Sequence, residues 1–447
     1  MSILAVDIGT TSLKMGVYGE GENGPVLSAE CAKPVTIRTY NDGAFSDVDP
    51  AQWQAAFRSG CRDLRRHLGN VDVIALSGTT PGLTAMDAQG RALYPAILML
   101  DLRSRAQAAE IIARIGPETL LRETGNLPVA GGCSLASILW LRDHEPEIYR
   151  SARLFGHSNT FFAAWLTGAS AIDPSSASLT ALYNTVRDDL SWNEPILETF
   201  GLSADRLPPL KRAEESVGRV RSKLAAELGL SRRPQVLIGG NDAVLAAYSV
   251  GINHPGDVIN VNGTCEITLV CLPRCMTSPR YNVRVHVVAQ RWLTLHVLNA
   301  GGAALEWFRT VFCRDMTADG FYREFIPAAL DVWVDGKSKV RYVPYLMGSR
   351  YSLRDLKAEF RGLTRETSRE EMLAALVRGC SRNQRGHLRE IGRELTLNPV
   401  THITGGAVNE AIIRAKQKWY RKGEYRLEQQ SSLRGAALLG LGLSSGR

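Results

Sequence analysis

The stretch Ile3-Leu4-Ala5-Val6-Asp7-Ile8-Gly9-Thr10-Thr11-Ser12-Leu13-Lys14 predicts how the N-terminal part of the chain folds. Residues 3–8 form an apolar run broken by Asp7 near its end, which is typical of a buried strand. Gly9-Thr10-Thr11-Ser12 has turn chemistry, and residues 13–18 return as a second strand, so we expect a β-hairpin. Its tip offers backbone N–H groups and hydroxyls to phosphate oxygens, and Asp7 could hold Mg²⁺. An ordinary hairpin turn is the alternative interpretation.

Apolar strands that end in small or glycine-containing turns recur along the chain. They are residues 71–78, 236–242, 257–264 and 400–407. Helical patterns occupy residues 50–64, much of residues 104–225, and the region around residues 372–380. Because 447 residues exceed one ordinary core, we expect an α/β protein of two domains. The boundary is placed near Val236, which gives domains 1–235 and 236–447.

The turn Gly239-Gly240-Asn241-Asp242 precedes an apolar helical segment. Asp242 is a candidate general base that accepts the proton of a substrate hydroxyl during phosphoryl transfer. An N-cap of the following helix is the alternative role for this side chain. Two further turns complete the set of candidates. Gly263-Thr264 could hold phosphate, and Gly405-Gly406 could lie against a flat adenine ring, although each turn alone also fits a plain connection.

Composition narrows the class of protein. No segment has the roughly 18 uninterrupted apolar residues of a membrane helix, and the N-terminus lacks the basic region of a signal peptide. A cytoplasmic protein that does not associate with membranes is therefore expected. The eight cysteines follow no framework spacing and fit reduced thiols. A zinc site made from Cys271, Cys275, His286 and His296 is a weaker interpretation, because no second ligand pair repeats a known spacing.

The net charge is +8, which raises the question of nucleic-acid binding. Arginines are frequent from Arg350 to Arg434, but they recur at helical intervals rather than in one run, which favours a solvated helix face. A cationic surface also attracts an anionic nucleotide. We therefore expect a small-molecule substrate and no nucleic-acid partner.

Taken together, these segments resemble the FGGY carbohydrate kinases of the actin-like ATPase superfamily, and within them the xylulokinases. The resemblance covers nearly the whole chain. Its carriers, in collinear order, are residues 5–14, Thr124-Gly125-Asn126-Leu127, residues 144–149, Gly239-Gly240-Asn241-Asp242, Asn262-Gly263-Thr264, residues 344–350, Gly362-Leu363-Thr364, residues 403–407 and residues 435–440.

The resemblance implies two ribonuclease-H-like (actin-like ATPase) domains with an interdomain cleft that closes on ATP and a sugar. It implies Asp242 as the catalytic base and Asp7 as a second catalytic carboxylate that holds Mg²⁺ through water. The first domain, 1–235, would bind the sugar and supply the first phosphate loop, and the second, 236–447, would supply the catalytic base and bind ATP through its adenosine. A homodimer is the expectation for this family. The positions implied for ATP and its phosphates are Gly9, Thr10, Thr11, Ser12, Lys14, Gly263, Thr264, Gly405, Gly406 and Asn409.

The chain departs from xylulokinases where the sugar is expected to bind. Xylulokinases carry Gln-Met-His-Gly where this chain has Thr79-Thr80-Pro81-Gly82, and Trp-Asn-Asp where it has Met99-Leu100-Asp101. Unpaired polar groups discriminate strongly between substrates. We therefore expect a related ketose or a shorter polyol rather than xylulose, and a sugar- or nucleotide-binding regulator with lost or reduced kinase activity is the alternative. The positions expected to bind substrate are Thr79, Thr80, Pro81, Asp101 and Asp242.

Overall fold

The computed structural model of the protein describes residues 1–352, 354, 356–406 and 408–442. Ala407, which follows the predicted Gly-Gly turn, and the last five residues of the predicted second domain lie outside these ranges. The strands are β1 (Ser2–Ile8), β2 (Ser12–Gly21), β3 (Gly24–Pro34), β4 (Arg38–Tyr40), β5 (Phe45–Val48), β6 (Val73–Gly78), β7 (Gly82–Met86), β8 (Ala96–Leu98), β9 (Leu154–Gly156), β10 (Ser216–Arg219), β11 (Gln235–Asn241), β12 (Val258–Asn262), β13 (Glu266–Leu272), β14 (Asn282–Val285), β15 (Trp292–Leu298), β16 (Arg341–Val343), β17 (Glu359–Arg361), β18 (Val400–Thr404) and β19 (Glu424–Leu427).

Helices connect these strands on a mixed α/β plan. They are α1 (Pro50–Asp63), α2 (Arg105–Ile115), α3 (Pro117–Thr124), α4 (Ser134–His144), α5 (Pro146–Ser151), α6 (Ser158–Thr167), α7 (Pro174–Ala177), α8 (Glu194–Phe200), α9 (Ser222–Glu227), α10 (Asp242–Ser249), α11 (Gly302–Phe312), α12 (Ala318–Gly320), α13 (Ile326–Trp333), α14 (Arg369–Ile391), α15 (Glu410–Trp419) and α16 (Ser432–Gly442). Short 3₁₀ turns occupy Arg65–His67 and Ala204–Arg206, and a π turn occupies Phe321–Phe325.

The chain divides into two compact units. Unit 1 comprises Met1–Gly251, Val283–Trp292 and the C-terminal segment from Gln430, and unit 2 comprises Ile252–Asn282 and Leu293–Gln429. The sequence predicts a boundary near Val236. In the structure β11 begins at Gln235 and pairs with β6 of unit 1, so Asp242 belongs to unit 1. The functional division at Val236 stays a prediction.

The main sheet of unit 1 has the order β10-β11-β6-β1-β2-β3. β1 runs parallel to β6, and β6 runs parallel to β11, whereas β1 and β2 form the predicted antiparallel hairpin. Burial on both faces explains why β1 and β6 are almost continuously apolar. A second sheet of unit 1 has the order β4-β5-β8-β7-β9.

Helix α1 covers one face of the main sheet of unit 1 as its sequence predicts. The side chain of Asp49 accepts a hydrogen bond from the N–H of Ala51, and Pro50 is the first helical residue. Trp53 and Phe57 of α1 are fully buried in the core.

Helix α16 packs against β1 and α10 of unit 1. Ile3 and the buried residues of α16 therefore lie in one apolar cluster.

Within unit 2, five strands follow the order β15-β13-β12-β18-β19. β12 and β13 form an antiparallel hairpin, and β18 runs parallel to β12. Helices α11, α13, α14 and α15 share one apolar core that includes Phe308, Leu376 and Trp419. Strands β16 and β17 form a separate two-stranded ladder against which α14 packs. The predicted α/β class is confirmed in both units.

Candidate active site

Polar side chains meet at the carboxyl ends of three neighbouring parallel strands in unit 1. Asp7 of β1 is paired with Ser77 of β6, and Gly78 of β6 is paired with Asn241 of β11. Asp242 follows β11 directly and begins α10. Since ligands of open α/β sheets bind outside the carboxyl ends of the strands, this edge is the candidate active site of unit 1.

The turn that follows β1 has a fixed shape. The N–H of Gly9 donates to the carbonyl of Ser12 over 3.1 Å, and a Cβ on Gly9 would lie 2.6 Å from that oxygen. The indole N–H of Trp53 donates to the carbonyl of Gly9 over 3.1 Å. Thr11 is exposed, and Thr10 and Ser12 are partly exposed. The predicted phosphate-binding groups are therefore accessible on a turn that these hydrogen bonds hold in shape.

Asp7 lies beside this turn and is nearly buried, with 7% of its surface exposed. Its Oδ1 atom accepts a hydrogen bond of 2.7 Å from the hydroxyl of Ser77. Lys14 of β2 stands opposite Asp7 in the ladder and has an exposed side chain. A carboxylate fixed by a hydroxyl, beside accessible hydroxyls and a lysine, suits a hydrated divalent cation and phosphate oxygens.

Asp242 is the first residue of α10, and the N-cap of that helix is Asn241, whose Oδ1 accepts from the N–H of Val244. The alternative role of Asp242 as the N-cap is therefore wrong. Its own Oδ1 accepts from the N–H of Ala243 and from the Nδ2 of Asn241, both over 2.7 Å. Within the described part of the chain, no hydrogen bond reaches Oδ2. The carboxylate is thus oriented through one oxygen, and the other can accept a proton.

Electrostatic neighbours tune this carboxylate. Burial raises the pKa of Asp242 to about 6, the negative charge of Asp7 acts in the same direction, and Arg284 acts in the opposite direction. A general base works best when its pKa lies near the operating pH. Asp242 therefore combines the position and the acidity that proton abstraction requires.

Arg284 organises the wall next to Asp242 and is only 2% exposed. Its Nη1 donates to the hydroxyl of Thr80 over 2.6 Å and to the carbonyl of Ser175 over 3.2 Å, and its Nη2 donates to the carbonyl of Thr80 over 3.0 Å. The Nδ2 of Asn241 also donates to the hydroxyl of Thr80, over 3.0 Å. The structure thereby brings Thr80, a predicted substrate residue, together with Asp242.

The other predicted substrate residues have different surroundings. Thr79 is partly exposed and its N–H donates to the carbonyl of Ile8 over 3.1 Å, so it lies near the turn after β1. Pro81 is buried. Asp101 is 0% exposed, and its oxygens accept hydrogen bonds from the N–H of Ser46, at 2.6 Å, and from the Nε of Arg103, at 2.8 Å.

Asp101 therefore belongs to a buried ion-pair cluster, in which Arg103 also bonds Asp47 over 2.8 Å. No described hydrogen bond connects Asp101 with Thr80 or Asp242. Because its carboxylate is covered and already paired, direct contact with a sugar would require opening this cluster.

Unit 2 contains a second glycine turn, after β12. The N–H of Gly263 donates to the carbonyl of Cys265 over 3.0 Å. The N–H groups at the start of α11 fasten this turn, because Gly302 donates to the carbonyl of Gly263 over 2.9 Å and Gly301 donates to that of Thr264 over 3.0 Å. Gly263 and Thr264 are exposed, so both predicted phosphate-binding residues are accessible.

The turn that follows β18 lies beside this one. Gly405 has a φ of +135°, and a Cβ there would lie 2.0 Å from the carbonyl oxygen of Asn262. A Cβ on Gly406 would meet nothing within 4 Å, so open space faces that residue. Asn409 is the N-cap of α15, because its Oδ1 accepts from the N–H of Ile412 over 2.9 Å. The sequence did not predict this capping role.

A pocket opens next to these two turns in unit 2. Its floor carries the buried ion pair between Glu266 and Lys416, whose Oε1 and Nζ atoms are 2.7 Å apart. Asn260 donates to the same Glu266 oxygen over 3.1 Å. Apolar side chains form much of the remaining wall, including Leu305, Leu376 and Ile412. The pocket itself is small, with a volume of about 40 Å³, well below the usual range for small-molecule sites, about 300–1,000 Å³.

Several residues of these sites were missed in the sequence. Arg284, Ser175 and the pair Glu266–Lys416 carry no local pattern, since the fold alone brings them to their partners. Asn241 lies in the Gly239-Gly240-Asn241-Asp242 motif. Because asparagine is favoured at helix N-caps, its capping role could have been predicted. For the candidate zinc ligands, the described residues contain no group of three or more His, Cys, Asp or Glu side chains able to hold a metal ion.

No helix in residues 1–352, 354, 356–406 and 408–442 is long and apolar enough to span a membrane.

Comparison with known proteins shows the family. Residues 2–249 match the N-terminal domain of the FGGY family of carbohydrate kinases. A xylulose kinase of Staphylococcus epidermidis is 27% identical over 451 residues, covering 98% of this chain and 87% of the relative. The structure of a xyloylose kinase from Brucella ovis matches with a TM-score of 0.89 and 25% identity, over 100% of this chain and 91% of that one.

A gluconate kinase from Lactobacillus acidophilus has the same fold, with a TM-score of 0.89 at 21% identity over 99% of this chain and 89% of its own. The matches confirm the predicted α/β fold with two actin-like ATPase domains. They also confirm that the chain is a carbohydrate kinase. The predicted interdomain cleft stays a prediction. From its sequence match and its fold, the chain belongs to the FGGY family of carbohydrate kinases.

Proposed function

We propose that this kinase transfers the γ-phosphoryl group of ATP to a hydroxyl of a small ketose or polyol, with Asp242 as the general base. The observation that carries the proposal is the Asp242 carboxylate, held through Oδ1 at the start of α10, with a pKa raised to about 6. The Oδ2 atom would accept the hydroxyl proton as the oxygen attacks phosphorus.

The remaining residues bind and orient. Gly9, Thr10, Thr11, Ser12 and Lys14 would donate to phosphate oxygens in unit 1. Asp7 would hold Mg²⁺ through water, and its fit rests on the hydroxyl-anchored carboxylate beside the exposed turn. When bound, Mg²⁺ neutralises charge that develops on the phosphate oxygens.

Unit 2 would bind the nucleotide. Gly263 and Thr264 would hold phosphate, and Gly405 and Gly406 would lie against adenosine, because open space faces Gly406.

The substrate is proposed to be a sugar other than xylulose. The named relatives act on different sugars, xylulose and gluconate by their titles. In this chain the hydroxyl of Thr80 is engaged by Arg284 and Asn241, and Leu100 is exposed where xylulokinases carry Asn. A different set of hydroxyls would therefore be satisfied at the wall beside Asp242.

The test is a phosphorylation assay with Mg-ATP and a panel of three- to seven-carbon ketoses and polyols, read as ADP release against a blank without sugar and as phosphorylated product. Asp242→Asn should lower kcat by about 10²- to 10⁴-fold while ATP binding persists, because general-base catalysis contributes that much. Asp205→Asn, an exposed acid of the same unit, is the control and should retain the full rate.

Two outcomes would contradict the proposal. Full activity of Asp242→Asn would remove Asp242 as the base. Nucleotide or sugar binding without any phosphorylated product across the panel would instead support the regulator that the altered Thr79–Gly82 and Met99–Asp101 segments suggested.

A further inference from the structure

Unit 2 contains a cavity lined by five cationic side chains that the kinase reaction does not use. They are Lys339, Arg341, Arg361, Arg378 and Arg382. The cavity has a volume of about 570 Å³, which is within the usual range for small-molecule sites, about 300–1,000 Å³. These residues come from the ladder β16–β17, the segment before it, and helix α14. We call this feature the basic cavity.

Two pairs of like charges face each other in the basic cavity. Arg341 and Arg361 stand directly opposite each other in the antiparallel ladder of β16 and β17. Arg378 and Arg382 are one helical turn apart on α14. Like charges directly across a ladder, or four residues apart on a helix, destabilise these elements. The fold thus concentrates positive charge at one point against its own stability.

The packing of α14 on β16 keeps these charges together. A Cβ on Gly379 would lie 2.5 Å from the carbonyl oxygen of Tyr342, so the helix and the strand touch at this glycine. Arg378 donates to the carbonyl of Val340, and its guanidinium lies 5.8 Å from the centroid of the Trp419 ring. One arginine of the cavity is therefore fixed in place before any ligand binds.

Few carboxylates balance the cluster. Glu359 pairs with Arg361 over 2.8 Å. Burial and the charges of Arg382 and Arg341 lower the pKa of Arg378, while Glu371 acts in the opposite direction. In the described part of the chain, no ion pair joins Lys339, Arg341, Arg378 or Arg382 to an acidic side chain. The net positive charge of the cavity is thus left for an external anion.

We propose that the basic cavity binds a small soluble compound with at least two phosphate groups, through residues that the candidate active site does not include. The planar guanidinium group of arginine can donate two parallel hydrogen bonds to phosphate oxygens. Several guanidinium groups around one concavity favour a ligand with several negative charges. The inference does not depend on the identity of the sugar or on the role of Asp242.

A nucleic acid fits these features less well. Among the residues that the structure describes, no aromatic side chain lines the cavity, whereas single strands are held by stacking of bases on aromatic rings. The charges surround one concavity rather than forming a stripe along the surface, which is the footprint of a duplex. The arginine-rich sequence from Arg350 to Arg434 is thus partly explained as one wall of a local anion site.

The test uses the full-length protein and calorimetric titration with inorganic pyrophosphate, and with orthophosphate for comparison. Pyrophosphate should bind more tightly than orthophosphate, and more weakly as salt is raised. Arg341→Gln combined with Arg382→Gln removes one charge from each like-charged pair, and both side chains are exposed, so folding is retained. This variant should raise the Kd for pyrophosphate about tenfold or more, because charge-assisted hydrogen bonds are lost.

The matched control is Arg389→Gln combined with Lys422→Gln, which removes two exposed charges of unit 2 outside the cavity. Its Kd should stay close to that of the native protein. The proposal is overturned if pyrophosphate does not bind, if its binding survives in the cavity variant, or if the control weakens it equally. Binding of single-stranded DNA, or of vesicles with a phosphatidylinositol bisphosphate headgroup, that the cavity variant abolishes while pyrophosphate has no effect would also overturn it.

Discussion

The turn after β1 in unit 1 and the turn after β12 in unit 2 share a backbone plan and differ in charge. Each turn follows the first strand of a β-hairpin. That first strand also pairs with a parallel strand, which is β6 in unit 1 and β18 in unit 2. Two residues before the glycine, however, unit 1 carries Asp7 and unit 2 carries Val261. On the proposed function, the two turns would therefore serve different chemical purposes, because a carboxylate stands next to only one of them.

The neighbouring residues extend this difference. Unit 1 adds Asp242 as a second carboxylate, and burial, together with the negative charge of Asp7, raises the pKa of Asp242. In unit 2, the acid Glu266 is neutralised by Lys416 in a buried pair. We infer that unit 1 is built to handle a proton and a cation, whereas unit 2 is built to hold a nucleotide without reacting with it.

Among the changes that compare the two turns, the largest effect should come from removing the carboxylate that distinguishes them. Asp7→Asn should lower kcat by about 10²- to 10³-fold, because preorganised electrostatic contacts to the reacting phosphate contribute on this scale. The matched change in unit 2, Val261→Thr, should leave kcat within assay error. Steady-state kinetics with the best substrate of the panel measures both, and equal effects would mean that the charge difference has no functional role.

A second change tests whether the acid of unit 2 is structural. Lys416→Met leaves Glu266 buried without its cation, and we expect the free energy of unfolding to fall by about 3–5 kcal/mol. Lys418→Met on the same helix breaks an exposed ion pair with Asp335. This substitution should change the free energy of unfolding by less than about 1 kcal/mol. Chemical denaturation of both variants gives the comparison. A small loss for Lys416→Met would show that Glu266 tolerates an unpaired charge.

The third prediction contrasts two adjacent glycines of unit 2. Gly405→Ala forces a positive φ on alanine and a clash with the carbonyl of Asn262, so stability should fall by about 1–3 kcal/mol. Gly406→Ala meets nothing in the protein and should leave the melting temperature unchanged while raising KM for ATP, if adenosine lies against it. An unchanged KM would remove Gly406 from the nucleotide site.

The smallest effect concerns pH. Because Asp242 must be ionised to accept a proton and its pKa is raised to about 6, kcat/KM should be constant above that value and fall about tenfold per pH unit below it. In Asp7→Asn the repulsion is gone, so the acidic limb should move to lower pH. Stopped assays from acid to neutral pH measure the profile, and an acidic limb that stays in place would show that Asp7 does not act on Asp242.

The sequence predicted those parts of the site whose chemistry is local. The motifs around Gly9 and Asp242 combine an apolar strand, a glycine and an acid within a few residues. Such a pattern predicts both where the strand ends and which side chain is the candidate functional group. The assignment of Asp101 to the sugar rested on resemblance alone, and only the structure reveals that Arg103 and Ser46 cover its carboxylate.

Arg284 could not be predicted for a different reason. It lies far along the chain from Thr80 and Ser175, and its bonds to them depend on how a distant segment returns to unit 1. Likewise, the arginines of α14 alone indicate an ordinary solvated helix face. Their place in the basic cavity becomes evident only from the packing of the β16–β17 ladder against this helix. Long-range packing, rather than local pattern, determines both features.

The packing of α16 on β1 has a consequence during synthesis of the protein. Ile3 shares its apolar cluster with Leu433, Ala436 and Ala437, so this face of the first sheet stays uncovered while all of unit 2 emerges from the ribosome. Contacts between such distant residues slow folding and leave apolar surface open to aggregation. In a nascent chain of this kinase, the part of β1 that α16 covers therefore stays without that cover until α16 has been made.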